Sequence, residues 1–282
     1  MDHEGLIRLT CFIVVFALVA YAETVVPRRA LTVAKPERWF NNLAIIALGS
    51  IVIKALFPLA ATGVAVAAET HNWGLFNQLQ WPLWSRIMVS ILLLDLVIYL
   101  QHLMFHAVPL LWRLHMVHHA DLDLDVSSGL RFHPLEIVIS MLIKMTVVAA
   151  LGVPVLAVVL FEITLNATAM FNHGNLHLPQ QVDGILRWLT VTPDMHRVHH
   201  SVLIRETNSN FGFNFPWWDR MFGTYRAQPA AGHTAMTIGI GPFRTTKQVT
   251  LLRLLILPFG KEEGRYSLKH IGGDPPTPSD ND

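Results

Sequence analysis

Long unbroken apolar runs dominate this chain, rather than strict alternation or narrow amphipathic stripes. Residues 6–22, LIRLTCFIVVFALVAYA, form the first run. A helix rises about 1.5 Å per residue and needs about 20 residues to cross a hydrocarbon core about 30 Å thick, so this run just spans. Ala20-Tyr21-Ala22 resembles a signal-peptidase site. However, the preceding MDHEGLIR is nearly neutral and the apolar run exceeds a signal core in length, which favours an uncleaved anchor. A second run, 41–67, is interrupted by Lys54 and Pro58 and predicts a kinked or tilted span. A third covers 86–105. The fourth, 135–171, is too long for one crossing and is broken at Gly152-Val153-Pro154, where the proline ring removes a helical donor; it predicts a two-helix hairpin. The expected fold is all-α: an integral-membrane helical bundle of about four spans, including the 135–171 hairpin, with a histidine-rich helical cap.

The loops orient the bundle. Segment 23–40 carries Arg28, Arg29, Lys35 and Arg38, whereas 69–84 carries no Lys or Arg, so the first loop is expected in the cytoplasm. The third helix then delivers 106–134 to the same side and the hairpin brings 172 onward back to it. Past the polar and aromatic stretch NSNFGFNFPWWDRMFGTY, residues 247–259 are apolar but too short to cross and predict an interfacial helix. The chain is expected to divide into N-terminal membrane anchor helices (1–84), a histidine-bearing domain (85–226), an interfacial C-terminal segment (227–270) and a disordered tail (271–282).

Composition narrows the chemistry. Apolar residues make up 52% and charged residues 15% of the chain, against about 25% charged in soluble domains, which supports a membrane protein. With a net charge of +1 and no basic cluster interleaved with aromatics, nucleic acid is excluded as a partner. Cys11 is the one cysteine, so neither a disulfide framework nor a Cys-rich metal site forms within one chain; any metal must be held by His and carboxylates.

The histidines supply that chemistry. HMVHH at 115–119 and HRVHH at 196–200 place His115, His118 and His119, and His196, His199 and His200, at the i, i+3, i+4 spacing of one helix face, each triplet a potential half-site. His102 and His106 in HLMFH, and His173 and His177 in HGNLH, are i, i+4 pairs that suit two imidazoles gripping one ion. A lone His is more often a hydrogen-bonded core residue than a ligand. Ten together would each need partners for two ring nitrogens, and protonating them would crowd like charges into a poorly hydrated place; a cation answers both objections, a pH sensor being the competing reading. Ten ligands exceed one tetrahedral zinc site and predict two ions with four or five imidazoles each, while imidazole alone does not choose among zinc, copper, iron and nickel. Asp95, Tyr99, His102 and His106 form one stripe of the third helix, so Asp95 is expected to fix the tautomer of a ligand His, and Asp194 either to do likewise or to cap a helix after Thr192-Pro193. His133 in RFHPLE is an eleventh ligand or a positioning residue. Residues 217–220, WWDR, read as an interfacial anchor or a lid. His3, His71, His233 and His270 lie outside every cluster.

In this order on a membrane chain, HLMFH, HMVHH, NHGNLH and HRVHH resemble the histidine boxes of the fatty acid hydroxylase or sterol desaturase superfamily, with DLVIYLQH, RFHPLE and WDRMFGTY as supporting matches across residues 85–226. The resemblance implies a non-haem centre of two iron ions, with O2 as co-substrate, that hydroxylates or desaturates a membrane lipid. Zinc would be able to replace iron in purified protein. The implied ligands are His102, His106, His115, His118, His119, His173, His177, His196, His199 and His200. Leu103 departs from the family members that carry Arg after the box histidine. The residues hold neither a cytochrome b5 module nor a Gly-rich dinucleotide fingerprint, so an external donor of cytochrome b5 or ferredoxin type, with an NAD(P)H reductase, is expected. The expected site is the cytoplasmic face of a bacterial inner membrane, or of the endoplasmic reticulum in a eukaryote. Two other readings stand beside this one. A zinc-dependent membrane hydrolase would need a carboxylate base, yet no HExxH occurs; a metal or proton transporter would place its ligands at the bilayer midplane rather than past the helix ends.

Overall fold

The computed structural model describes residues 3–260, 266 and 268; the predicted tail 271–282 and His270 lie outside them. The described residues form helices and connecting turns, with two isolated β-bridges and no strand. Five stretches are long and apolar enough to cross a membrane: Glu4–Val25, Lys35–Gln78, Leu83–Ala107, Pro134–Leu151 and Val155–Asn172. We label the main helices α1 (Glu4–Val25), α2 (Lys35–Leu56), α3 (Ala60–Thr70), α4 (Leu83–Ala107), α5 (Pro109–His119), α6 (Pro134–Leu151), α7 (Val155–Asn172) and α8 (Pro193–His199).

The proline at 58 interrupts the second stretch, and Ala60 takes a left-handed φ of 43° where α3 begins. Both pieces run alongside α6 in the same direction, Gly49 against Ile137 near its start and Gly74 against Gly152 at its end. Gly152 caps α6 with φ 65°, and a Cβ on Gly74 would lie 2.1 Å from the Gly152 nitrogen, so only two glycines permit this backbone approach. Pro154 then starts α7, completing the hairpin. Helix α1 runs beside α7, with Arg8 paired to Glu162 and Val19 close to Gly174.

Many large apolar side chains on these helices, among them Ile13, Leu18, Ile51, Leu142 and Leu160, are exposed. In a bilayer they cost nothing, and the folding force there comes from close packing and internal polar pairing. The buried charges accordingly have partners. Midway along the α6–α7 hairpin, Glu162 accepts from Lys144 (2.5 Å) and from Arg8. At the histidine end, α2 presents Arg38, 3% exposed, whose guanidinium reaches Asp121 (2.8 and 2.9 Å), Asp125 (2.5 Å), the Asp123 carbonyl (2.8 Å) and Ser128 Oγ (2.9 Å). Burial alone would raise the Asp121 carboxyl, but Arg38 and Arg131 beside it hold it well below the usual carboxylate range. This network closes the loop 120–131 over the site. Replacing Arg38 by Met leaves Asp121 and Asp125 buried without their main cation, a change that typically costs about 3–5 kcal/mol. The expected outcome is a markedly lowered melting temperature in a tryptophan-fluorescence scan, partly restored in Arg38→Lys; an unchanged melting temperature would show the network to be dispensable.

Candidate metal centre

Proline builds the site's local geometry. Val108 is extended before Pro109, so α4 ends and α5 folds back from it, turning HLMFH toward HMVHH. On α8, the Thr192 hydroxyl accepts from the Met195 N–H and Pro193 occupies the first turn, which starts HRVHH as a helix facing the same point. His173 is the C-cap of α7.

Nine of the ten predicted imidazoles converge in two abutting groups, each with its potential ligand atoms within 4.8 Å of one another: His102, His106, His115, His119 and His199; and His118, His173, His196 and His200. The triplets do not act as half-sites. At 100° per residue, positions i and i+4 lie about 40° apart whereas i and i+3 lie about 60° apart on the other side. Thus 102/106, 115/119 and 196/200 stay together, while His118 and His199 point into the opposite group. Each HxxHH segment therefore serves both groups, with His118 adjacent in sequence to His119 and His199 to His200, which holds the two sites side by side.

His177 does not join. Helix α7 stops at Asn172, and Leu176 bridges to Pro27 in extended backbone, so the i, i+4 geometry assumed for 173 and 177 never forms. The His177 N–H donates to the Val26 carbonyl (2.9 Å), and the residue is exposed.

Hydrogen bonds set the tautomers. The Nδ1–H groups of His102, His118, His173 and His199 donate to the carbonyls of Phe211 (2.8 Å), Arg131 (3.2 Å), Ala169 (2.7 Å) and Ser209 (2.7 Å). His106 Nδ1 donates to Asn208 Oδ1 (3.1 Å), and His115 Nδ1 to Glu136 Oε1 (2.7 Å). A carbonyl only accepts, so each Nε2 carries a bare lone pair. Yet His102 and His115 bring Nε2 atoms to 3.0 Å, as do His118 and His173; the Nε2 atoms of His196 (3.0 Å) and His200 (3.2 Å), whose Nδ1 atoms find no partner among the described residues, also close on that of His173. The Nε2 atoms of His106 and His199, and both nitrogens of His119, are buried with no partner among the described residues. Lone pairs this close repel unless a cation lies between them. With metal–nitrogen bonds of about 2.1 Å, neighbouring ligands stand about 3.0 Å apart at octahedral and about 3.4 Å at tetrahedral angles, so the residues fit a metal in each group.

Burial reinforces this protonation state. It pushes His115 and His173 down to about 3, and His118, His119, His196, His199 and His200 well below 6.5.

The structure moves the predicted carboxylates away from the imidazoles. Asp95 accepts from Trp218 Nε1 (2.8 Å) and the Asn214 and Phe215 N–H groups (both 3.3 Å) and reaches no histidine; it pins the loop whose Phe211 carbonyl orients His102. Asp194 pairs with Arg28 (3.0 Å) and Arg197, with His233 at 3.6 Å; burial would raise its carboxyl, but these cations hold it down. His133 caps α6, its Nδ1 accepting from Leu135 N–H (3.1 Å), and is no ligand. Asp219 of the WWDR segment accepts from the Phe211 and Gly212 N–H groups (both 2.8 Å) rather than pairing with Arg220, which stacks over Trp188 and Tyr225. The orienting groups missed in the sequence are Glu136 and Asn208; only RFHPLE, at the start of α6, carried a signal for the first.

Beside the first group lies a cavity of about 190 Å³ that touches His102 and His115, walled mainly by Ile46, Ile98, Phe105, Ile137, Leu165 and Phe213. It offers an apolar chain access to the metal positions.

Elemental analysis of purified protein should give two metal ions per chain, falling to about one in His118→Ala and staying at two in His177→Ala; a loss in the latter would contradict the grouping. Because the folded-state histidine values lie below 6.5, the unfolded chain binds more protons on acidification. Stability present above about pH 6.5 is lost as pH falls toward about 3. The melting temperature of metal-free protein should fall steadily over that window, and a flat profile would contradict burial of neutral imidazoles.

Residues 87–224, which carry both histidine groups, match the fatty acid hydroxylase family. The chain is 26% identical over 228 residues to the ornithine lipid hydroxylase OlsE of Rhizobium tropici, covering 79% of this chain and 68% of that one. It is 26% identical over 195 residues to an alkylglycerol monooxygenase of Xenopus tropicalis, covering 65% of this chain and 41% of the relative. Over 148 residues it is 27% identical to a cholesterol 25-hydroxylase of Rattus norvegicus, covering 51% and 48%. The chain thus spans less than half the length of these last two relatives. No solved structure matches. Residues 87–224, with their paired histidine groups at one end of a bundle of membrane-length helices, thus form a domain of the fatty acid hydroxylase family.

Proposed function

We propose that this protein is an O2-dependent hydroxylase of a membrane lipid, working with two iron ions at its histidine groups. The observation that carries the reading is the adjacency of metal-ready Nε2 atoms to an apolar cavity, His102 and His115 belonging to both. The relatives named above are lipid hydroxylases and monooxygenases, which favours oxygen insertion over hydrolysis. His102, His106, His115, His119 and His199 would hold one ion, and His118, His173, His196 and His200 the other. When bound, the ions supply O2 activation for insertion into a C–H bond.

The chain's own residues supply position and exclusion of water. Carbonyl and carboxylate acceptors lock the imidazoles in place, which keeps the metal positions rigid. Phe105, Phe132 and Phe213 line the side of the cavity near His102 and His115, where a dry wall protects an oxidant from bulk water. The balance is R–H, O2, two electrons and two protons giving R–OH and water. The electrons are assigned to a separate donor of cytochrome b5 or ferredoxin type. Segments 23–40 and 106–134 and the chain after 172 meet at the histidine end, and the basic residues of the first favour a cytoplasmic side for that end.

Iron-loaded protein in nanodiscs made from host lipids, given isotopically labelled O2 and a chemical reductant, should yield a lipid bearing one labelled oxygen. His118→Ala should lose about a hundredfold or more in product, since removing even the groups that orient a metal ligand typically costs about 10–100-fold. Lipids unchanged by the iron-loaded protein, with no O2 consumed, would overturn the reading.

A further inference from the structure

Outside the metal groups, the charges of the histidine end are sorted by sign. Between residues 85 and 260 every carboxylate except Asp194 is buried, and Asp194 is half-buried against Arg28 and Arg197. The exposed charges over the same range are Arg205, Arg226, Arg244, Lys247 and Arg253, all of them cations. The net charge of +1 for the whole chain gives no hint of this. Folding has turned the anions inward, toward Arg38, Arg131 and backbone N–H groups, and left cations on the outside.

Exposed large apolar side chains mark where this protein meets lipid. They occur at Trp217, Met221 and Phe222, and again at Leu252, Ile256 and Phe259, but nowhere in segments 111–134, 190–216 or 223–251. Those three segments form a water-facing cap over the metal groups. The Val202 N–H donates to the Thr237 carbonyl and the Gly239 N–H to the His200 carbonyl (both 2.9 Å), and Gly239 packs against the Asp121 carbonyl. Arg205, Arg226, Arg244 and Lys247 lie on this cap, whereas Arg253 sits between the lipid-facing Leu252 and Ile256. A bilayer surface is met by cations interleaved with exposed apolar side chains, which is the pattern around Arg253 and not that of the cap.

The cap is also a short way in to the histidines. The helical turn Ile204–Thr207, which carries Arg205, leads into Asn208 and Ser209, and these hold His106 (3.1 Å) and His199 (2.7 Å). Next in the chain, Asn210 accepts from the Arg226 N–H (2.8 Å). On the Arg244 side, the Gly241 N–H donates to the Tyr266 hydroxyl (2.9 Å) and Tyr266 stacks on Trp112. The Trp112 ring in turn lies 4.9 Å from that of His106 and 5.3 Å from that of His119.

We infer that this cap is the docking face for an acidic one-electron carrier protein, steered by Arg205, Arg226, Arg244 and Lys247 onto the side nearest His106 and His199. The inference rests on the lipid-hydroxylase reading, which needs two electrons from outside, and it names the partner's charge and where it lands. Two encounters, each oxidising the carrier by one electron, supply the pair that hydroxylation of R–H consumes, and the two protons come from the water that the cap faces. A surface of one sign raises the association rate of an oppositely charged partner by about 10–10³-fold, an advantage that salt removes.

The test is binding to the full chain in phosphatidylcholine nanodiscs, loaded with zinc so that no electron is taken up. A labelled acidic [2Fe–2S] ferredoxin should bind at least about tenfold more tightly than a basic c-type cytochrome, and raising salt from about 20 mM to about 300 mM should erase most of that preference. Combining Arg226→Glu with Lys247→Glu should weaken ferredoxin binding about tenfold at unchanged zinc content and melting temperature, whereas Arg253→Glu should not. Equal binding of the two carriers, undiminished binding in the double variant, or an equal loss in Arg253→Glu would each overturn the inference. So would phosphatidylglycerol vesicles that bind the discs as tightly as ferredoxin and lose that binding in the double variant, since the face would then be one for a membrane surface. Labelled oxygen inserted with the chemical reductant but no ferredoxin bound would sink the docking face and spare the hydroxylase reading; the reverse pattern would sink that reading.

Discussion

The structure depends on a set of hydrogen bonds that turn imidazole lone pairs toward one another. Carbonyls of Phe211, Arg131, Ala169 and Ser209, together with Asn208 and Glu136, accept from the outer ring nitrogens and force the inner ones to present lone pairs at separations of about 3 Å. That arrangement is unfavourable by itself and becomes favourable around a cation. Much of the surrounding fold serves to hold it: the proline breaks before α5 and α8, the Asp95 anchor under the 211–218 loop, and the Arg38 network closing residues 120–131.

The two metal positions are coupled by construction. Because each HxxHH segment sends i, i+4 residues to one group and the i+3 residue to the other, neither group can shift without moving the helices that build its neighbour. Helix periodicity thus fixes the spacing between the two groups.

The bilayer explains the inverted distribution of polarity. Outward apolar side chains gain little from burial in lipid, so specificity inside comes from buried polar contacts: Lys144 and Arg8 with Glu162 midway along the hairpin, Arg38 and Arg131 with Asp121 at the histidine end.

The sequence by itself determined the membrane class, the break at Pro58, the hairpin turn at 152–154 and the nine histidines that gather into two groups able to hold a metal, because hydrophobic length, proline positions and helical spacing are local properties. It overreached where it assumed local geometry beyond the end of a helix: His177 fails because α7 stops at Asn172, and the triplets split because i+3 and i+4 diverge around the helix axis. Only the tertiary structure decided which acceptor orients which ring, since Glu136, Asn208 and the loop carbonyls lie far along the chain from most of the histidines they hold. Likewise, Asp95 and Asp194 looked like histidine partners from spacing, yet a carboxylate takes the nearest donors in three dimensions. Those donors are Trp218 and two backbone N–H groups for one, and Arg28 and Arg197 for the other.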